Sequence, residues 1–248
     1  MNVILILFFL SGCAYVNAVS TGRVENDDLS GHEKYSYQDT IGQFKKIRKK
    51  GFGKDKKFIV KTKMVDNTPK SQVVEQIVTI SKPLRMRNGV KVLFPDQSES
   101  VAWFDGKKHK TTIKASKDNR ILKVQYFDGT TNTVLNRTLE VNTKNVYCFY
   151  SQLIECISKT NFLNLSRKKK VGVMNFYIVW DSFPFFNELF LYSKNEIASR
   201  AQFGYVEEKN GEVKYQLNVD DHMMTYFIKD NQLRKFYWSA HGIGQERI

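Results

Sequence analysis

Apolar and polar residues alternate with a period of two over most of the chain after residue 57, the pattern of β-strands with one buried face. In the first run, Phe58, Val60 and Met64 fall on one face and lysines fall on the other. Such runs recur at roughly ten-residue spacing, as in an antiparallel meander. The predicted strands cover residues 58–64, 73–80, 90–94, 101–105, 111–115, 120–127, 133–141, 171–180, 188–192, 201–206, 213–219, 223–228 and 233–238. For the second run, a helix capped by Ser71 is the alternative.

Turn sequences separate the strands, and Asn210-Gly211 is the strongest hairpin signal. One segment departs from the period of two. Val146, Leu153 and Ile157 belong to a stripe that repeats every three or four residues, which predicts a helix of about fourteen residues. The predicted fold class is therefore mainly β. We expect a curved antiparallel sheet, or an open or closed β-barrel, of about a dozen strands packed on one helix.

The chain divides by composition into four parts. Residues 1–12 are predicted to be a signal peptide, and residues 13–57 an N-terminus and basic tether, polar from 19 to 44 and dense in lysine after that. Residues 58–240 contain no internal repeat and no linker, so they are predicted to form a single β-rich domain. Residues 241–248 are predicted to be a loose tail.

Composition narrows the protein class. The chain has 248 residues, of which 42% are hydrophobic, so a fully disordered protein is excluded. Three cysteines are too few for a small disulfide-framework protein. The formal net charge of +14 points to an anionic partner.

The first twenty residues carry the clearest motif. Residues 3–10 are all apolar, but they would span only about 12 Å as a helix, much less than a bilayer core. Leu10-Ser11-Gly12-Cys13 follows, and it resembles the lipobox of bacterial lipoproteins. The resemblance implies cleavage before Cys13 and palmitate-type acyl chains on that residue. It also implies a cell-envelope location, with Ala14 favouring the outer membrane, facing the periplasm, in a Gram-negative cell.

Two alternatives to the lipoprotein remain for this segment. Val16-Asn17-Ala18 fits ordinary signal cleavage after Ala18, which would release a soluble periplasmic or secreted protein. The segment would otherwise be a buried N-terminal strand of a cytosolic protein. The layout of the strand-rich part is weakly similar to uncharacterised exported β-sheet proteins of Gram-negative bacteria, and this similarity carries no site residues over.

Cys148 and Cys156 lie within the predicted helix. Eight residues of helix would separate them by about 12 Å, whereas a disulfide needs Cα atoms within about 7 Å. The helix therefore predicts two unbridged thiols. A hairpin turning near Ser151-Gln152 would instead allow a bridge.

The sequence holds no motif for catalysis, a cofactor or a metal. Asp220 and His222 would share one side of a strand, which is more typical of a solvated turn than of a metal site. Ser239 and His241 suggest a hydrolase only by proximity. We expect a non-enzymatic protein without a cofactor, and an envelope hydrolase using His222 or His241 is the minor alternative.

Two stretches are candidates for binding. Eight cations between residues 45 and 57 would contact an anionic membrane surface or envelope polymer, because export removes nucleic acid as a partner; the alternative is that they serve only solubility. They are Lys45, Lys46, Arg48, Lys49, Lys50, Lys54, Lys56 and Lys57. Phe183, Phe185, Phe186 and Phe190 form the most apolar stretch, which would either pack in the core or line an opening for an acyl chain.

The predicted function follows from these parts. The chain is expected to be an envelope lipoprotein that Cys13 anchors and whose β domain binds an envelope partner or a lipidic ligand. A periplasmic carrier of lipids or lipoproteins, with an apolar cavity near Phe185 and Phe186, is the alternative.

Overall fold

The computed structural model describes residues 33–38, 43–54, 56–66, 69, 73–86, 91–104, 106–186, 189–193, 196–238 and 242–248. Strands dominate them. The first nine strands are β1 (Glu33–Gln38), β2 (Gln43–Phe52), β3 (Phe58–Asp66), β4 (Val73–Arg85), β5 (Lys91–Phe104), β6 (Lys107–Ala115), β7 (Ile121–Asp128), β8 (Thr133–Glu140) and β9 (Tyr147–Phe149). The others are β10 (Val173–Val179), β11 (Phe185–Phe186), β12 (Leu189–Ser193), β13 (Ala198–Lys209), β14 (Glu212–Val219), β15 (His222–Lys229), β16 (Gln232–Trp238) and β17 (Ile243–Arg247).

Fifteen of these strands form one sheet, in the order β8-β7-β6-β5-β4-β3-β2-β1-β17-β16-β15-β14-β13-β10-β9. Neighbouring strands are antiparallel except β9 and β10, which run parallel. The two meanders, β1 to β8 and β13 to β17, meet where β1 pairs with β17. The remaining strands, β11 and β12, form a separate hairpin. The predicted mainly β class is therefore confirmed.

The register shifts at several points, including Met64/Val65 and Ile80/Ser81 in the first meander and Phe227/Ile228 in the second. Such bulges bend a strand and increase its twist. A sheet of this width has to curl, because twist accumulates from strand to strand. The curl gives the sheet an inner face, which contacts the core, and an outer face.

The inner faces of both meanders belong to one hydrophobic core. It includes Val60 and Ile113 from the first meander and Phe203, Leu217 and Trp238 from the second, all nearly inaccessible to solvent. The domain is larger than predicted at both ends, because β1 and β2 belong to the sheet and residues 243–247 form β17.

The predicted long helix over 146–157 is wrong. The chain first forms β9, which pairs with β10, then a 3₁₀ turn at Tyr150–Gln152 and two short helices, α1 (Leu153–Lys159) and α2 (Phe162–Lys169). The stripe of apolar residues misled the periodicity because nearly all of the segment is buried, strand and helix alike. A segment buried on all sides carries little information about its period.

Candidate functional site

The 3₁₀ turn and α1 lie against the inner face of the sheet, and we call residues 150–159 the plug. Polar contacts fix the plug to the first meander. Arg48 of β2 donates to the backbone oxygen of Ser151 and, at 2.7 Å, to Glu155. Gln152, fully buried, accepts from Ser81 and donates to the backbone oxygen of Thr79 at 3.0 Å. Polar residues can lie on this part of the inner face because the plug supplies their hydrogen-bond partners.

The loop after β10 packs beside the plug. The buried Asp181 accepts a 2.9 Å hydrogen bond from the Ser151 backbone N–H. Thr111 of β6 donates to the backbone oxygen of Phe183, whose side chain is 2% exposed. Phe183 is thus a core residue. The side chains of Phe185, Phe186 and Phe190, the other members of the predicted apolar site, lie outside the described part of the structure.

Cys148 and Cys156 form a disulfide, with Cα atoms 5.8 Å apart. The prediction of two unbridged thiols is therefore wrong. It assumed a continuous helix, whereas the chain turns between β9 and α1 and folds back on itself. The bridge closes a loop that contains the start of the plug, and both sulfur-bearing residues are buried.

A crevice of about 40 Å³ separates the plug from the second meander. Its lining includes Lys46 and Arg48 on one side, Tyr150 in the plug, and Tyr226 and Gln245 opposite. This volume is enough for a few water molecules and far below that of an acyl chain. Both cations are over nine-tenths buried, so the crevice reaches into the interior of the domain.

The structure places five of the eight predicted cations on the two faces of β2 and the other three between β2 and β3. Lys46, Arg48 and Lys50 lie opposite Met64, Thr62 and Val60, on the inner side of β2. Lys45 and Lys49 point to the outer side and are exposed. Lys54 and Lys56 are exposed in the β2–β3 turn, and Lys57 forms a 2.9 Å ion pair with Asp96. The basic run is therefore a strand of the domain and not part of a tether.

Lysines from other strands join Lys45 and Lys49 on the outer side. We call the resulting set the outer lysine face; its six members are all exposed, and they are Lys45, Lys49, Lys61, Lys108, Lys114 and Lys123. Two pairs lie directly opposite each other on neighbouring strands, Lys49 with Lys61 and Lys114 with Lys123. Like charges in this position destabilise a sheet.

His109 occupies a buried position on the inner face of β6. Its Nδ1 lies 2.9 Å from the Tyr126 hydroxyl and 3.5 Å from a carboxylate oxygen of Asp128. Burial raises the pKa of Tyr126, and the neighbouring Asp128 charge adds to this. Burial alone would raise the pKa of Asp128, but hydrogen bonds from Thr130 and Thr131 outweigh it and lower that pKa. The group has the composition of an acid–base site, although His109 and Tyr126 are buried and only Asp128 is partly exposed.

The other candidates do not assemble into a site within the described residues. His222 packs edge-on against the buried Trp238, with ring centroids 4.9 Å apart, and Asp220 accepts a hydrogen bond from Ser199. No group of three or more metal-ligating side chains occurs among the residues that the structure describes. Cys13, Ser239 and His241 lie outside those residues.

None of the helices in the described part of the chain is long and apolar enough to span a membrane. The two α-helices have seven and eight residues.

Sequence reasoning missed Glu155, Asp181 and His109. Glu155 and Asp181 are single acidic residues within apolar stretches of the sequence. This pattern could have indicated buried ion pairs or hydrogen bonds, because an isolated buried charge needs a partner. Their partners come from strands far away in the sequence, so the sequence did not reveal the pairs. His109 lies two residues before the predicted strand 111–115 and alternates with Thr111 and Ile113, so a longer strand prediction would have placed all three side chains on one face.

No family model matches the chain. No curated protein matches it either. The fold is similar to the crystal structure of a β-barrel-like protein of domain of unknown function DUF1849 from Brucella abortus. That match covers 88% of this chain and 94% of that chain, with a TM-score of 0.47 and 6% sequence identity.

Proposed function

We propose that this chain is a non-enzymatic cell-envelope lipoprotein, anchored through acyl chains on Cys13, whose β domain binds an anionic envelope partner. The observation that carries the proposal is the Cys148–Cys156 disulfide. Structural disulfides persist in oxidising compartments such as the periplasm and are rare in the cytosol. The disulfide thus supports export, which the apolar run and the lipobox-like Leu10-Ser11-Gly12-Cys13 independently favour.

The hydrogen bonds in the interior support a binding role for the outer surface. The plug, the Asp181–Phe183 loop and the inner face of the first meander are held together by the hydrogen bonds described above. These polar groups are occupied in stabilising the fold. The charged outer surface is therefore the better place for a partner than the interior.

The N-terminus of the mature protein tests the proposal. We expect mass spectrometry of protein extracted from bacterial membranes to find Cys13 as the first residue, carrying two or three acyl chains, which is enough for stable anchoring. We expect Cys13→Ala to move the protein into the soluble fraction, and Cys156→Ala, a matched control, to leave the mature N-terminus acylated. A mature chain beginning at Val19, or an unacylated Cys13, would overturn the proposal.

A further inference from the structure

We infer that the outer lysine face is a docking surface for a bilayer that contains anionic phospholipid. This inference rests on the proposed function, since it requires the domain to be held next to a membrane. It assigns that contact to lysines from β2, β3, β6 and β7, of which only Lys45 and Lys49 belong to the basic run of residues 45–57.

The first argument is the arrangement of charge. Antiparallel pairing places Lys49 beside Lys61, and Lys114 beside Lys123, on one face of the sheet. Each pair places two like charges directly opposite each other on neighbouring strands, which disfavours the sheet unless something anionic lies over it. No carboxylate forms an ion pair with any of the six lysines among the residues that the structure describes.

The nearby carboxylates do not neutralise this face. Glu99 of β5 already lies 3.2 Å from Lys110. Asp96 already binds Lys57 and Lys82, at 2.9 and 2.7 Å. Hydrogen bonds from Lys82 and Lys57 lower the pKa of Asp96 although burial opposes this, so Asp96 is ionised at neutral pH and engaged. These two carboxylates are therefore engaged with lysines that do not belong to the outer lysine face.

The second argument is the shape of the face. Five strand spacings separate β2 from β7, so the lysines are spread over about 24 Å of sheet. They lie on the outer side of the sheet, away from the main core. A broad surface with dispersed cations matches a plane of lipid headgroups better than the narrow track of a single nucleic-acid strand.

The third argument is an aromatic residue beside the lysines. Trp103 lies directly opposite Lys108 on the outer side of the sheet and is half-buried. It packs on a small apolar cluster formed by Ile47, Val65 and Val73. Tryptophan is favoured where an apolar region meets water, as at the headgroup level of a membrane.

The test measures binding of the full chain to vesicles. All variants carry Cys13→Ala, so that acyl chains do not contribute. The vesicles contain either phosphatidylcholine alone or phosphatidylcholine with about one-third phosphatidylglycerol. Binding is followed by co-sedimentation and by Trp fluorescence. Because Trp180 and Trp238 are 2% and 0% exposed, we expect a blue shift to report mainly on Trp103.

The decisive variant combines Lys49→Gln, Lys61→Gln, Lys114→Gln and Lys123→Gln. A lysine near an anionic surface changes affinity about fivefold, so we expect the four substitutions to weaken binding at least a hundredfold. The matched control combines Lys144→Gln, Lys159→Gln, Lys168→Gln and Lys169→Gln, which removes the same charge from exposed positions off this face. We expect the control to lose less than tenfold.

Three results would overturn the inference: equal losses in the two variants, wild-type binding that does not depend on phosphatidylglycerol, or tighter binding to a single-stranded oligonucleotide than to the vesicles. Melting temperatures no lower than that of the wild type establish that both variants are folded. A failure of this inference can be distinguished from a failure of the proposed function. An unacylated mature Cys13 with loss of vesicle binding in the outer-face variant would reject only the anchor. An acylated Cys13 without such loss would reject only the docking surface.

Discussion

Arg48 of β2 donates a 2.7 Å hydrogen bond to Glu155 of α1, and the two side chains are only 9% and 15% exposed. This ion pair ties the basic strand of the first meander to the plug. Arg48 also donates to the Ser151 backbone oxygen, so the guanidinium serves two parts of the plug. The most basic segment of the chain thus contributes to the fold on one face and to the protein surface on the other.

The Arg48–Glu155 pair is expected to be important for stability. Arg48→Met leaves Glu155 without its cation in a poorly hydrated position, which lowers the free energy of unfolding by about 3 kcal/mol. Lys49→Met, one residue away on the exposed side, changes it by less than about 0.5 kcal/mol. Chemical denaturation of both variants checks this. Arg48→Met/Glu155→Met should lose less than the two single variants together, and strict additivity would contradict a direct interaction.

The Cys148–Cys156 bridge is expected to stabilise the domain. Replacing both cysteines by serine releases a short loop, which costs about 2.5 kcal/mol in the chain-entropy account of disulfides. Thermal unfolding of the double variant and of the wild type with reductant measures the difference. Thiol labelling of denatured, unreduced protein should find neither cysteine reactive. Full labelling of both would show that the bridge is absent.

Stability at acid pH is expected to depend on Asp96. The pKa of this carboxyl is lower in the folded protein than its ordinary value of 3.8, so its stabilising contribution is present above that value and is lost as the pH falls through the lowered folded pKa. Asp96→Asn should therefore destabilise the protein at pH 7 and make little difference near pH 2. Glu140→Gln removes an exposed carboxylate as a control. Unfolding curves of equal pH dependence for wild type and Asp96→Asn would contradict the prediction.

Strand β8 is expected to promote self-association. It lies at one end of the sheet, almost all of it is exposed, and it contains neither lysine nor proline to block an added strand. Val134→Lys, at a position that is 55% exposed, should reduce association at high protein concentration without changing stability by more than about 0.5 kcal/mol. Met223→Lys on β15, which pairs on both sides, is the control. Light scattering that responds equally to both substitutions would argue against an edge effect.

The strand segments could be predicted from the sequence because each has one buried and one exposed face. Phe58, Val60 and Met64 alternate with lysines, and the structure places them on the inner side of β3. Turn sequences such as Asn210-Gly211 marked a hairpin that the structure contains. The plug could not be predicted in this way. Tyr150–Gln152 and the residues next to them in the chain are buried, so the sequence there shows neither the period of two nor the period of 3.6.

The ends of the domain were misjudged for a related reason. Residues 45–57 contain eight cations and were interpreted as part of a tether, yet Lys46 and Arg48 are buried on the inner side of β2. Charged side chains enter an interior only when partners are provided, and Glu155 lies over 100 residues away in the chain. No feature of the sequence near Arg48 indicates that partner.

By itself, the sequence determined the β-rich class, most strand positions and the motif at Cys13, because these depend on alternation, turn chemistry and short spacing. Only the tertiary structure decided the disulfide, the buried ion pair and the grouping of lysines from four strands on one outer face. Each of these joins residues whose proximity depends on strand order and on the direction in which the chain turns. Those distances are fixed only when the sheet forms, so the linear sequence alone does not reveal them.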